Sequence, residues 1–382
     1  MVQQLSAASR VLNNKNAMPI LDCFLMEVAE GGQCVIITAS DTENTVRLMC
    51  PLVAFEPDED TARTRFCLRS RLIIDSLKEI PSQPVTLTIN METMEVRGDY
   101  MNGNFAIVGE RADEYPAPPT LPSDATVLTM SAPLLLQNIN ACVFALADDE
   151  IHPVMTGIFF DIEPDRLTCV GTDGRKMVRR RSVPSGLPAG EDTLTLPSSP
   201  ASFILPKKTS FILRTLLAKA DGMTSLRFND KQLLVEHPQF TLMARLIDGR
   251  YPNYNSVIPQ NNPYTATVER DLCIPALRRV LAMADRNSTL VKLTMNADHI
   301  TLTAQDVDFA TSATEDIPAT WDGPADFRIG VKGNIFYEVL QNLPAYITLT
   351  AAAPSRALLF MPTQQEPGLD VLMLLMPMMI AD

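Results

Sequence analysis

The chain has 382 residues, 46% of them hydrophobic, and a formal net charge of −13. That length predicts two or three domains, and the strongly negative charge excludes tight nucleic-acid binding over the whole surface, since phosphate contacts dominate such affinity. It does not exclude a protein whose basic residues are gathered on one face.

Targeting and metal signals are weak. The start, Met1 to Gln4, has no basic and apolar segment typical of a signal peptide, and the apolar run Val371–Ile380 is broken by Pro377 and too short for a membrane helix. Seven isolated cysteines and three distant histidines fit no common zinc spacing. We therefore expect reduced core cysteines, a cytoplasmic location, and neither a metal nor a cofactor.

The first third of the chain is predicted to be strands around one helix. Alternating β-branched residues predict strands over 18–27 and 34–50 on either side of a Gly31–Gly32 turn. A helix is expected over 70–80, ended by Pro81, and is followed by strands over 85–89, 94–97 and 105–108. The proline-rich stretch 115–122 predicts a stiff linker.

The second and last thirds repeat this order, with a longer loop over 184–200 and a turn at 321–324. A strand predicted over 127–130 lies 46 residues before Asp173, and the same offset from Asp41 falls before residue 1. The first domain is therefore expected to lack its opening strand.

A threonine-rich strand running into a loop aspartate occurs three times, at Asp41, Asp173 and Asp306. The aspartates are 132 and 133 residues apart, and each is followed by a strand that begins with Phe and leads into an apolar helix. This period is too long for a solenoid. It predicts three similar domains over residues 1–122, 123–258 and 259–382.

Basic residues recur seven positions apart near the repeated helices, in pairs that two helical turns would place on one face. The pairs are Arg71 with Lys78, Lys207 with Arg214, and Arg279 with Arg286. An ordinary solvated helix face explains any one pair. Three repetitions in an acidic chain favour a surface that meets phosphates without reading bases.

Four motifs, in the same order and at the same distances, resemble the bacterial beta sliding clamp, the processivity factor of DNA polymerase. They are Met18–Leu21, Gly171–Lys176, Leu246–Tyr254 and Leu375–Met378. The resemblance implies an α+β, DNA-clamp fold of three similar domains, with antiparallel sheets outside and helices inside. It also implies a ring-shaped homodimer that encircles duplex DNA and tethers the replicative polymerase, the clamp loader and other proteins with clamp-binding peptides.

By the same resemblance, a set of basic residues is expected to line the hole: Lys15, Arg71, Lys78, Lys207, Lys208, Arg214, Arg250 and Arg279. The acidic loop Asp148–Glu150 stands where relatives often carry a DNA-contacting polar residue, so we expect no DNA contact from it.

The resemblance also implies an apolar peptide pocket, formed by Met155, Thr172, Gly174, Arg175, Met177, Pro252, Val257, Leu374, Met376, Pro377 and Met378. Flexible methionine suits a groove that accepts several peptides. An edge strand buried in the third domain is the alternative for this methionine-rich ending, although a strand buried on one face should alternate with polar residues. Relatives usually carry a basic residue after the second methionine, and this chain has Met379 there.

The dimer seam is expected to pair sheet edges of the first and third domains, since an unpaired edge invites another strand. Its candidates are Phe105 and Ile107 on one side and Leu281 and Met283 on the other.

Two other classes compete with a clamp. An enzyme finds little support: the chain has no nucleotide-binding or G-x-S-x-G motif, and the three loop aspartates are more typical of turns than of metal ligands. A monomeric, peptide-binding scaffold that never encircles DNA remains open, but gives the basic pairs no purpose.

Overall fold

A computed structural model describes every residue except 14, 15, 17, 30, 57–64, 150, 188–192 and 381–382. The described chain forms two compact units. The first comprises Met1–Leu135 with Lys208–Leu246, and the second comprises Leu136–Lys207 with Ile247–Asp382.

The regular elements follow in chain order, grouped by the three segments that the repeat predicts. Residues 1–122 contain α1 (Val2–Ala8), β1 (Cys23–Val28), β2 (Cys34–Ser40), β3 (Asn44–Pro51), β4 (Arg65–Arg69), α2 (Ser70–Lys78), β5 (Thr86–Ile89), β6 (Glu95–Tyr100), β7 (Gly103–Val108) and β8 (Glu110–Arg111). Residues 123–258 contain β9 (Thr126–Ser131), α3 (Ala132–Val143), β10 (Gly157–Glu163), β11 (Arg166–Thr172), β12 (Lys176–Ser182), β13 (Leu194–Thr195), β14 (Ala201–Pro206), α4 (Lys207–Leu217), β15 (Met223–Phe228), β16 (Gln232–His237) and β17 (Phe240–Arg245). Residues 259–382 contain β18 (Tyr264–Glu269), α5 (Arg270–Leu281), β19 (Leu290–Met295), β20 (His299–Asp306), β21 (Thr311–Trp321), β22 (Phe327–Lys332), α6 (Gly333–Gln341), β23 (Tyr346–Ala351), β24 (Leu358–Pro362), β25 (Leu369–Leu375) and β26 (Pro377–Met378).

Nine strands of the first unit form one antiparallel sheet in the order β9-β15-β16-β17-β3-β2-β1-β4-β8. Its central pairing joins β17 to β3, from Phe240 opposite Leu48 to Ala244 opposite Asn44. Strands β5, β6 and β7 form a separate three-stranded sheet. The strand that corresponds to β9 has no described counterpart before α1.

The second unit is built on a thirteen-stranded sheet in the order β14-β10-β11-β12-β25-β24-β23-β18-β21-β20-β19-β22-β26. Here β12 pairs with β25, from Lys176 opposite Leu375 to Ser182 opposite Leu369. Residues 123–258 therefore share one sheet with the first segment and another with the third. For this reason the chain folds into two compact units although its sequence repeats three times. The three domain boundaries stay a prediction.

One sequence prediction about local structure is wrong, and one alternative, a buried edge strand, is right about burial but wrong about the edge. The strand expected from residue 18 begins only at Cys23, because Pro19–Asp22 forms a 3-10 helix in which proline suits the first turn. The segment 369–375 is not an edge strand: β25 lies between β12 and β24. A strand with neighbours on both sides, mostly buried, has no need of polar alternation.

The helices are short. The longest, α3 and α5, have 12 residues each, and none of the described helices is a candidate membrane span. Helix α5 packs against α6 in the second unit, and α1 packs against α2 in the first.

Candidate functional site

A cavity of about 150 Å³ lies within the second unit, where the β11–β12 turn, residues 251–257 and the end of β25 meet. Its lining is Met155, Thr172, Gly174, Lys176, Met177, Tyr251, Pro252, Asn253, Tyr254, Val257, Leu374 and Met376. The wall is mainly apolar with a few polar groups at its margin, a composition typical of sites that bind extended peptide segments.

The β11–β12 turn holds one side of the cavity through the side chains of Asp173 and Thr172. Asp173 Oδ1 accepts the backbone N–H groups of Arg175 and Lys176, both at 2.8 Å, and Thr172 Oγ1 donates to the Lys176 carbonyl at 2.8 Å. Gly174 has φ +81°, a left-handed conformation that glycine adopts without strain. The aspartate is therefore a turn residue, as its spacing predicts.

An aromatic cluster fixes the second wall. The rings of Phe159 and Tyr251 stack with their centroids 4.6 Å apart, and Tyr254 packs on Phe159 edge-on at 6.3 Å. Tyr254 Oη donates to Asp161 Oδ2 at 2.7 Å. Burial, and then the hydrogen bond to Asp161, raises the pKa of the Tyr254 hydroxyl, and burial raises the pKa of Tyr251. Both phenols therefore stay neutral and hold the wall by packing.

Lys176 is the charged residue of the lining. Its Nζ lies 2.8 Å from Asp173 Oδ2 and 2.9 Å from Glu338 Oε2 on α6, while its side chain is largely buried. Burial opposes the ammonium, but the hydrogen bonds to Asp173 and Glu338 outweigh it, so the pKa of Lys176 is raised. The lysine thus ties the β11–β12 turn to α6 as a permanent cation.

The end of β25 completes the cavity. Leu374 is buried in the strand, and Met376, just beyond it, is exposed while its N–H donates to the Arg175 carbonyl at 2.8 Å. Pro377 and Met378 then form β26 and pair with Val331 and Gly330 of β22.

Eight of the eleven residues expected from the resemblance line this cavity. Arg175, Pro377 and Met378 do not: Arg175 is exposed on the turn, and the other two are committed to β26. Sequence reasoning missed Lys176, Tyr251, Asn253 and Tyr254. All four lie inside the motifs Gly171–Lys176 and Leu246–Tyr254, so their proximity to Gly174 and Pro252 was the available signal.

The helices carry a positive net charge although the chain is acidic. The six α-helices of the described chain carry eight basic and three acidic side chains, a net charge of +5, whereas the whole chain carries −13. Three of them hold all eight basic residues: α2, α4 and α5. The helices therefore have the sign of charge that a nucleic-acid surface requires, in contrast to the rest of the chain.

Several of the expected lining residues already have carboxylate partners. Lys78 Nζ lies 2.9 Å from Asp75 Oδ1, and Lys207 Nζ donates to the exposed Asp148. The Arg279 guanidinium makes a two-point contact with Glu315, which raises the pKa of Arg279 and lowers that of Glu315.

Lys208 differs from the other basic residues because it is directed into the first unit. Its Nζ lies 2.5 Å from Asp41 Oδ2, 2.7 Å from the Val11 carbonyl and 2.5 Å from Asn13 Oδ1. These three acceptors match the three N–H donors of an ammonium group. Next to it, Thr209 Oγ1 donates to Asn44 Oδ1 at 2.7 Å.

Three expected lining residues have no carboxylate partner among the described residues. Arg71 and Arg250 are exposed, and the Arg214 guanidinium lies 5.5 Å from the centre of the Phe211 ring. Lys15 lies outside the described residues. The pairing of Arg279 with Arg286 on one helix face is wrong, because α5 ends at Leu281 and Arg286 follows a turn.

The expected seam residues lie at strand edges or beside one. Phe105 and Ile107 are half-buried on β7, which pairs with β6 alone among the described strands. Leu281 ends α5, and the carbonyl of the exposed Met283 accepts a hydrogen bond from Thr311 Oγ1 at 3.1 Å. Thr311 begins β21, whose residues 311–318 have a described neighbour, β20, on one side only.

No described group of three or more His, Cys, Asp or Glu side chains has the arrangement of a metal site. Asp41 and Asp306 act in their turns as Asp173 does, accepting backbone N–H bonds from residues three positions later, Asn44 and Phe309.

Comparison with known families accounts for almost the whole chain. Residues 1–121 match the N-terminal domain of the DNA polymerase III beta subunit, residues 129–253 its central domain and residues 255–378 its C-terminal domain. A beta sliding clamp of Synechococcus elongatus is 27% identical over 346 residues, covering 86% of this chain and 84% of that protein. One of Halalkalibacterium halodurans is 24% identical over 290 residues, covering 74% and 72%.

Solved structures show the same fold. A DnaN sliding clamp (DNA polymerase III subunit beta) from Pseudomonas aeruginosa bound to griselimycin has a TM-score of 0.88 at 19% identity, covering all of this chain and 97% of that one. A DNA polymerase sliding clamp from Bacillus subtilis has a TM-score of 0.85 at 21% identity, with the same coverage. The described chain thus has the three-domain clamp fold expected from its sequence.

Proposed function

The chain belongs to the DNA polymerase III beta subunit family, and on that premise we propose that it is a sliding clamp. Two copies close head to tail around duplex DNA and hold the replicative polymerase and other partners at the template. The ring retains DNA by enclosure and needs only weak contacts that ignore sequence.

The observation that carries this proposal is the charge on the helices, +5 in a chain of −13. A clamp must attract phosphates enough to stay centred on the duplex, yet deep energy wells along the backbone would stop it from sliding. A modestly basic helical face inside an otherwise acidic protein meets both needs, because sequence-independent phosphate contacts are weak singly and additive in number.

Within this proposal, Arg214 and Arg250 are the strongest candidates for phosphate contacts, since no described carboxylate neutralises them. Carboxylate groups already bind Lys78, Lys207 and Arg279. Each of these residues would contact a DNA phosphate by exchanging its carboxylate partner for it. Lys15 remains a lining candidate on the resemblance alone. Lys208 is instead a structural residue of the first unit, since its three donors are used within the chain.

The cavity beside β25 is the proposed docking site for the partners. Buried Met177 and Leu374 give it an apolar floor, and the exposed Met376 and Val257 give it an adaptable rim. Thr172 and Gly174 supply backbone and hydroxyl groups at the margin. An extended segment with hydrophobic anchors and a glutamine fits this chemistry, with the anchors in the cavity and the amide at the polar edge.

The proposed seam joins the open edge of β7 in one copy to the open edge of β21 in the other. Inside the chain, the same kind of junction is made twice, by β3 with β17 and by β12 with β25. Phe105 and Ile107 on β7, and Leu281 and Met283 beside β21, are the apolar residues proposed to pack there.

As a clamp, the chain catalyses no reaction of its own and acts by tethering enzymes that bring their own chemistry. It works in the cytoplasm, where bacterial DNA is replicated.

The test is topological. The protein is loaded by a clamp loader onto nicked circular DNA, the complex is isolated by gel filtration, and one half is linearised with a restriction enzyme. A ring stays on the circle and is lost from linear DNA, and blocking both ends with bound protein restores retention. A peptide-binding scaffold that does not encircle DNA stays on neither, and that result would refute the proposal.

A further inference from the structure

The β2–β3 and β11–β12 turns each contact a helix of the segment that follows in the chain. In the first unit, the turn that begins at Asp41 contacts the second and third residues of α4, Lys208 and Thr209. In the second unit, the turn that begins at Asp173 contacts α6 through Lys176 and Glu338. Each turn thus docks on a helix of the next segment, through polar or charged side chains.

The third such turn, β20–β21, begins at Asp306 and has no next segment within the chain. It is longer than the others: four residues separate Asp306 from its strand partner Thr311, whereas two separate Asp41 from Asn44. The added length carries two apolar side chains that face solvent, Val307 at 81% and Phe309 at 77% exposure.

Asp306 itself is buried, and one of its carboxylate oxygens accepts the Phe309 N–H at 3.2 Å. Its counterparts each pair with a lysine ammonium: Asp41 with Lys208 at the start of α4, and Asp173 with Lys176 of its own turn. Among the described residues no cation pairs with Asp306. The cation of Asp41 is supplied by the next segment, so a second copy is the corresponding source of a cation for the buried carboxylate of Asp306.

The helix that corresponds to α4 in the first segment is α2. Each begins directly after a strand that pairs with the first strand of its meander, β4 with β1 and β14 with β10. The second and third residues of α2 are therefore Arg71 and Leu72, in the positions of Lys208 and Thr209. Arg71 is exposed without a described carboxylate partner, and Leu72 is 48% exposed.

We propose that the β20–β21 turn of one copy docks on the first turn of α2 in a second copy, with Val307 and Phe309 against Leu72 and the Asp306 carboxylate facing Arg71. At this junction an apolar contact takes the place of the polar contact between Thr209 and Asn44, and Arg71 takes the place of the Lys208 cation. Arg71, expected to face DNA, serves the seam instead. This inference rests on the proposed ring and identifies side chains that close it.

Dimer dissociation constants measured by sedimentation velocity over a dilution series test the apolar contact. Phe309→Ser and Leu72→Gln should each raise the dissociation constant about tenfold, as expected for losing one central apolar contact. The double variant should be little weaker than either single one, because both remove the same contact. Val53→Ser, at a fully exposed site elsewhere, is the matched control and should leave the constant unchanged.

A wild-type dimer whose dissociation constant is unmoved by Phe309→Ser and Leu72→Gln overturns this inference and leaves the ring standing. A wild-type chain that is monomeric at every concentration overturns the ring itself, and the seam with it.

Cross-linking gives a readout that does not depend on affinity. The double variant Leu72→Cys with Phe309→Cys should form a covalent dimer under mild oxidation, seen on a non-reducing gel. Either single substitution should yield only monomer. Absence of the covalent dimer in the double variant, at concentrations where sedimentation shows a dimer, would contradict the proposed contact.

Discussion

Replacing Lys208 by methionine separates two roles for the same side chain. The resemblance placed Lys208 among the residues facing DNA, whereas the structure uses its ammonium on Asp41, Val11 and Asn13. Methionine keeps most of the side chain's length and helix propensity but removes the charge and the donors.

The expected cost follows from the unequal burial of the pair. The Asp41 side chain is 3% exposed and that of Lys208 is 38% exposed. Removing one partner of a fully buried ion pair costs about 3–5 kcal/mol, because the remaining charge is left without compensation. Water reaches the lysine end here and replaces part of the lost interaction, so we expect a loss of about 2 kcal/mol in the free energy of unfolding.

Urea denaturation followed by circular dichroism measures this loss, and the clamp-retention assay measures DNA holding in parallel. Lys208→Met should be destabilised, while Lys219→Met, at an exposed position beyond α4, should match the wild type. Adding Asp41→Asn to Lys208→Met should recover part of the stability, since the amide oxygen still accepts the Asn44 N–H without a buried charge. Unchanged stability together with faster loss from circular DNA would show that Lys208 contacts the duplex and that the structural assignment is wrong.

Three further predictions concern the cavity, its lysine and the basic helices. Met376→Ala should weaken a glutamine-containing clamp-binding peptide by about 1–3 kcal/mol in fluorescence polarisation, whereas Met379→Ala, outside the cavity lining, should not; equal affinities for both would remove Met376 from the site. Lys176→Met should lower the free energy of unfolding by a constant amount between pH 7 and 9. Because the folded-state pKa of Lys176 is raised, the difference from the wild type should shrink only above the ordinary lysine pKa of 10.5. A difference that fades below pH 9 would contradict the ion pairs. Arg214→Glu should weaken DNA binding and flatten its salt dependence, measured by fluorescence anisotropy from 50 to 200 mM salt, while Lys231→Glu in an exposed turn should change neither; identical slopes for both variants would exclude Arg214 from the lining.

The repeat made much of this fold predictable. The three aspartates mark the same turn in each segment because a side-chain oxygen that accepts backbone N–H groups is needed wherever two adjacent strands reverse, and that need survives when other residues change. Helix α2 was equally visible, since Pro81 cannot continue a helix and the expected range 70–80 ends within two residues of the observed Lys78.

What sequence reasoning missed depended on contacts between distant residues. Nothing local distinguishes Lys208 from Lys207, yet one turns into the first unit and the other meets Asp148. The position of β25 between two strands could not be predicted, because an unbroken apolar run is typical both of a central strand and of an exposed binding surface. Tyr251 was missed because an aromatic residue next to a proline predicts a turn more strongly than it predicts part of a cavity wall.

Sheet continuity through residues 123–258 has a practical consequence for anyone who cuts the gene at the repeat boundaries. In a fragment of those residues alone, β17 and β12 would be unpaired edge strands, because β17 would lack β3 and β12 would lack β25. On β12 it would also leave Arg179, largely buried, without the Asp370 carboxylate that neutralises it. Such a fragment should precipitate or form polymers through strand exchange, and shuffling whole thirds between related clamps should succeed only when the neighbouring strands travel together.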